Sequence, residues 1–507
     1  MISIIQQPCI HNISFASKTT RAYKSIHIIL ANMWAVQDLI LARTHIVLLY
    51  TFPVALIGFF IKHYLKTIIN SFRKQVSYST AYYTEVKTPV RALHPAEASL
   101  KNLIDVDGAG SWPPRTTYGQ AWPEVLRPYH DIYLELVPSL STEELSKDDR
   151  VNYQRCLDYR VRYRQLLTER IDMKQVAAVL SASENGAKDL LPGEAWNGLF
   201  ACIALSRHAF RWGTIPIVKL AQEEQVVDIP EELNVPWEYL KRRYGVTSQG
   251  GNVTSNYLCN FDTKAQIVYP INPGKSDLIQ LAEYHFGHVF PAMEELALPI
   301  YHLVTKAIHQ HSIGDRSGLL QTLRQMNVEI RIPLKNYYET MVETKISRKV
   351  WMHYAQGFQG WAAGTIDPVT GEYTEYDGLS GNQLLFPQII DAFLGLEKYL
   401  SDENTIRYIP KSQQRFREVI KEHNFRQKAK DAGDLEIEEE MNNIVKQMRV
   451  FRTAHRVRVK PYLSVPAPER LIMTAGKSVL ESERVQGYEE AIAPLDKMLG
   501  DRLMATR

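Results

Sequence analysis

At 507 residues, with 45% hydrophobic and 23% charged residues, the chain has an ordinary globular composition and enough apolar material for a large core. A net charge of +3 is too small to support a nucleic-acid partner, so none is expected. Cys9, Cys156, Cys202 and Cys259 lie far apart with no CxxC pair, which argues against a zinc site or a disulfide framework and fits a reducing compartment.

Residues 1–85 read as an extension separate from the rest. The run 46–61, IVLLYTFPVALIGFFI, carries no charge. It falls just short of the roughly 20 apolar residues of a spanning helix, and 46–65 is the candidate membrane anchor. Lys62, Lys66, Arg73 and Lys74 follow it and Arg43 precedes it, a balance that leans toward a body on the cytosolic side. The chain is therefore expected to be cytoplasmic, or anchored with its body facing the cytosol. Pro89, Pro95, Gly108, Gly110 and Pro113-Pro114 mark irregular chain over 77–117, inside which the main domain, 93–507, begins.

Helical patterns follow. Over 153–171 apolar and basic residues alternate, and Arg155, Arg160, Arg162, Arg164 and Arg170 form a basic face that such spacing usually leaves in solvent. The stretch 199–222 is apolar and carries Arg207, His208, Arg211 and Trp212. Asn252-Val253-Thr254 is a glycosylation sequon, meaningful only for a lumenal body. Residues 277–311 predict a long helix with Leu281, Tyr284, His285, His288, Val289, Met293, Leu296 and Ile300 at three- and four-residue steps. No Glu-x-x-His pattern accompanies His285 and His288, so they read as surface histidines on a core helix. A further helix is expected over 321–343, and 430–440 reads as an acidic-to-mixed linker.

The stretch 441–463, MNNIVKQMRVFRTAHRVRVKPYL, is the most informative. On a helix Val445, Met448, Arg452, His455, Val459 and Tyr462 share one face. An imidazole within an apolar stripe, one turn after a guanidinium, suits a buried planar ligand with an acidic edge. Heme is such a ligand, with an axial His on iron and an Arg on a propionate. Spacing fixes the face and not its occupant, and a core histidine with a snorkelling arginine makes the same pattern.

The residues Lys446, Met448, Arg452, His455, Val459, Tyr462 and Leu463 resemble the proximal-heme helix of the indoleamine 2,3-dioxygenases. Upstream, Gly360-Trp361, the run Gly378-Leu379-Ser380-Gly381-Asn382-Gln383, and Gln388, Asp391, Leu394 and Gly395 are similar to three further motifs of that family, in the same order. The resemblance implies an all-α fold: a large helical heme-binding domain with a smaller N-terminal helical part covering the pocket. It implies heme b with His455 as axial ligand and Arg452 on a propionate. Ser380, Gly378 and Gly381 would belong to a loop against the cofactor, with Trp361 and Ser380 also toward substrate. The implied activity is a heme-dependent dioxygenase that adds O2 across the C2–C3 bond of tryptophan, an indole or a related aromatic metabolite. No further catalytic residue is assigned.

One feature departs from the family. Its tryptophan-cleaving enzymes place an Arg shortly before the Gly-Trp pair to hold the substrate carboxylate, and 353–360, HYAQGFQG, contains none. Phe451-Arg452-Thr453-Ala454-His455 is similar to the F-R-x-x-H of the branch that includes the ring-rearranging enzyme of pyrrolnitrin synthesis, which suggests a role in secondary metabolism. Two other readings share the pattern: a heme-binding protein without turnover, and a heme-free helical interaction protein in which His455 is a core residue.

Overall fold

A computed structural model describes residues 94–214, 219–361, 363–376, 378–463, 473–474, 477–478 and 488–506. The expected extension 1–85, with the hydrophobic run 46–65, lies outside the described residues. Among the described residues no helix is long and apolar enough to cross a membrane.

The fold is all-α. Residues 91–507 form one compact unit built on two hydrophobic cores. The larger core begins with α1 (Pro95–Val106). His94 Nδ1 accepts from the Ala96 N–H while Glu97 accepts from the His94 N–H, and Pro95 occupies the first helical position. The smaller core packs α2 (Arg127–Leu136), α3 (Asp149–Arg170), α4 (Met173–Glu184), α5 (Gly193–Trp212) and α6 (Glu231–Tyr244). Helix α5 is buried from Ala195 to Trp212 without a break, which explains why its apolar residues surround it rather than forming a stripe, with Arg207, His208 and Arg211 buried among them.

The basic face of α3 is not wholly solvated. Arg160 is buried, donating to Glu224 at 2.8 and 2.9 Å and to the Phe210 and Arg211 carbonyls. Helical spacing shows only that the five arginines lie near one another. The carboxylate and carbonyls that take Arg160 inside come from chain more than 45 residues away. The sequon residue Asn252 is also buried, at 1% exposure, where no glycan could be attached without unfolding.

The spine of the larger core is α7 (Asp277–Ser312), which buries Ile279, Ala282, Phe286, Val289, Phe290, Met293, Ala297 and Ile300 at three- and four-residue steps. The pattern over 321–343 resolves into α8 (Arg316–Glu329) and α9 (Arg331–Thr340). The break falls just before Pro333, which has no N–H and sits here within the first turn, where none is needed. After α10 (Leu385–Phe393) and α11 (Lys411–Glu422) comes α12 (Leu435–Leu463). Helix α12 starts inside the stretch expected as a linker. Glu436 and Glu438 in its first turn complement the helix dipole, and Arg316 pairs with both Asp434 and Glu436. Helix α13 (Tyr488–Ala505) packs on α12 through Arg456 and Asp496, 2.8 Å apart. Among the described residues, strands are confined to two short hairpins: β1 (Gly364–Ile366) with β2 (Tyr373–Glu375), and β3 (Met473–Thr474) with β4 (Lys477–Ser478).

Candidate functional site

A cavity of about 230 Å³ opens within the larger core, walled by α7, α9, α10, α12, α13 and the loop 379–384. Its lining is mostly apolar, with Val289, Phe290 and Met293 from α7 and Phe451, His455 and Val459 from α12. The face identified by spacing on 441–463 is therefore the one α12 turns toward this space. His455 stands beside the rings of Tyr337 at 5.7 Å and Phe451 at 6.1 Å. Among the described residues neither of its ring nitrogens has a hydrogen-bond partner. Although His455 is half-buried, the surface it exposes borders the cavity. Burial pushes its pKa down to about 4, with the Arg452 charge adding to the effect. The imidazole is thus neutral near pH 7 and keeps a lone pair for a ligand.

The rim of the cavity is charged. Arg452 Nη2 donates to both carboxylate oxygens of Asp391, at 2.6 and 2.7 Å, and Nη1 donates to Thr506 Oγ1. Arg502 of α13 donates to the same carboxylate and, at 2.6 Å, to the Glu397 carbonyl. All three side chains are at least nine-tenths buried, so one carboxylate faces two guanidiniums and a net charge of +1 remains. Buried charge of this kind favours an anionic group at the rim. Asp391 is held there by α10, whose N-terminus is fixed by Glu294. That fully buried carboxylate accepts from the Phe386 N–H, the Trp112 Nε1–H and the Tyr301 hydroxyl at 2.6–2.9 Å.

His455, Arg452, Ser380 and Gly381 all line this one cavity. Ser380 caps the turn that follows, its Oγ accepting from the Asn382 N–H and Nδ2. Gly381 does not have positive φ. A side chain there would meet only Phe290, at 3.9 Å, so its smallness keeps cavity space open. Gly378 is buried and its carbonyl accepts from Gln383, behind the lining.

Trp361 requires correction: it is not among the lining residues. It is fully buried in the smaller core, donating to the Gly250 carbonyl at 2.8 Å and packing on Tyr376 and His208 at 4.9 and 4.5 Å. Its indole N–H is already satisfied, and its ring is enclosed by protein. Sequence reasoning gave no role to Arg502, which has no motif of its own. It also missed Trp351 and Gln356, which line the cavity from a turn of π-helix (Trp351–Gln356) that a search for 3.6-residue periodicity passes over.

A family model described as indoleamine 2,3-dioxygenase matches residues 196–493, more than half of the chain. The match takes in α5 through α12 and ends within α13, just before Met498, Leu499 and Arg502. No curated protein matches the chain.

Proposed function

The chain belongs to the indoleamine 2,3-dioxygenase family, and on that premise we propose that it is a heme-dependent dioxygenase acting on an indole or a closely related aromatic. The donor set at the cavity suits heme. A neutral, unpartnered imidazole can ligate iron, and the net positive rim suits a propionate edge. His455 would hold the iron, Arg452 and Arg502 the acidic edge, and Ser380 offers a hydroxyl beside them. When bound, the cofactor supplies the activation of O2 for its addition across the C2–C3 bond of the substrate.

The protein's own residues do the rest. Val289, Phe290 and Met293 exclude water from the cavity, and the low pKa of His455 keeps a proton from competing for its lone pair. The guanidiniums at the rim and the aromatic rings along the wall fix which way round a flat molecule enters.

The observation that carries this reading is His455: an imidazole on a family-matched helix, turned to an apolar cavity, with no protein partner among the described residues. The test is the absorption spectrum of the purified full chain with hemin, recorded ferric, reduced and with carbon monoxide. A Soret band is expected, and His455→Ala should abolish stoichiometric binding while leaving the helical circular dichroism intact. A colourless protein, or an unchanged Soret band in the variant, would refute the assignment.

A further inference from the structure

The end of the cavity formed by the π-turn differs from the rim. Trp351 and Gln356 lie one i→i+5 turn apart, and both line the cavity. Trp351 is 6% exposed, and its Nε1–H has no acceptor. The Gln356 carboxamide likewise has no hydrogen-bond partner among the described residues. Around them stands an aromatic wall: Phe286 meets Trp351 edge-on at 5.5 Å and Phe290 at 5.7 Å, while Tyr257 stacks on Phe290 at 4.7 Å. Rings in these arrangements suit another flat aromatic. Buried polar groups in native proteins are normally paired, so the buried Trp351 Nε1–H, with the half-buried Gln356 carboxamide beside it on the same turn, points to a ligand that pairs them.

Among the described residues of the lining, the charged groups are Arg452, Arg502 and Asp391, and all three are committed to one another at the rim. A carboxylate placed against Trp351 and Gln356 would meet a carboxamide and no cation there, a costly burial. Resting on the functional reading above, we propose that this aromatic end takes an uncharged indole rather than an amino acid. Its ring N–H donates to Gln356 Oε1, an acceptor group on its side chain receives the Trp351 Nε1–H, and these two residues set the specificity.

The test uses the hemin-loaded full chain with a near-isosteric pair of probes, indole-3-acetamide and indole-3-acetate. Loading matters because the cofactor's acidic edge then occupies the arginines at the rim. Binding is read from the ligand-induced change in the Soret band and from the rise in thermal midpoint, neither of which needs turnover. The acetamide should bind at least about tenfold more tightly than the acetate, the low end of the cost of burying an unpaired carboxylate. Gln356→Leu should weaken the acetamide, and Gln356→Arg should reverse the preference by supplying a cation. Acetate binding as tightly as acetamide, or Gln356→Leu leaving the acetamide unchanged, overturns the specificity assignment alone. Failure of the wild-type chain to form a Soret band overturns the functional reading, and this inference with it.

Discussion

Asp391→Asn is the most revealing substitution at the rim, because it acts in opposite directions on the empty and the loaded protein. In the empty site the Asp391 carboxylate is 3% exposed and neutralises one of two guanidiniums that are themselves only 10% exposed. The amide keeps the shape and removes the charge, so the local net charge goes from +1 to +2. Removing one partner of a buried ion pair costs about 3–5 kcal/mol. The lower end applies, because Arg452 keeps Thr506 and Arg502 keeps the Glu397 carbonyl. Against a typical domain stability of roughly 5–15 kcal/mol this is a large fraction. An anionic ligand edge would take over the role of the lost carboxylate, so hemin should bind the variant more tightly and restore much of the deficit by mass action. The assay is urea unfolding of wild type and variant, each with and without saturating hemin, followed by far-ultraviolet circular dichroism. A loss of about 3 kcal/mol that shrinks on loading is expected. An equal loss in both states would refute the assignment of these arginines to the ligand's acidic edge, and no loss in either would refute the buried ion network.

Arg452→Ala should act in the opposite sense on the ligand, weakening hemin by about 1.5–3 kcal/mol, the worth of a hydrogen bond to a charged group. A hemin titration followed at the Soret band measures it, and unchanged affinity would return Arg452 to a purely structural role. Glu283 gives a pH dependence. Burial pushes its pKa up from 4.5 to about 7, against hydrogen bonds from the Ile271 and Asn272 N–H groups and Asn272 Nδ2. Between those values the folded protein holds a proton that the unfolded chain has released. The contribution is therefore full below pH 4.5 and is lost as pH rises toward 7. At 1.36 kcal/mol per pKa unit the loss is on the order of 3 kcal/mol. The stability advantage of wild type over Glu283→Gln should shrink across that window, and parallel pH profiles for the two would contradict the shift.

What the sequence reveals about this site follows the range of the interactions involved. His455, Arg452 and Val459 were legible because they share a helix, where a three- and four-residue rhythm reports one face directly. The all-α class and the existence of the long helix α7 were legible from the same rhythm, but its buried face was not: of the eight residues expected to share it only Val289, Met293 and Ile300 are buried, and Leu281 is exposed. The Asp391–Arg452 pair spans 61 residues, and the Asp391–Arg502 pair spans 111. Nothing in composition or periodicity says that these residues meet. Trp361 shows the converse failure. Its place in a matched motif was informative about the fold, yet the peptide and side-chain partners that enclose it, Gly250, His208 and Tyr376, come from other segments and decide that it is core. Trp351 and Gln356 were invisible for a third reason: a turn of π-helix changes the residue spacing, and with it the face on which their side chains meet. The departure seen in the sequence, a missing arginine before Gly360-Trp361, acquires a physical counterpart only when these elements are assembled. The turn that lacks the cation is the one that lines the cavity, and it presents an unpaired carboxamide there instead. Residue spacing thus located the helix that faces the cavity, whereas the charge along its lining is decided by contacts between distant segments.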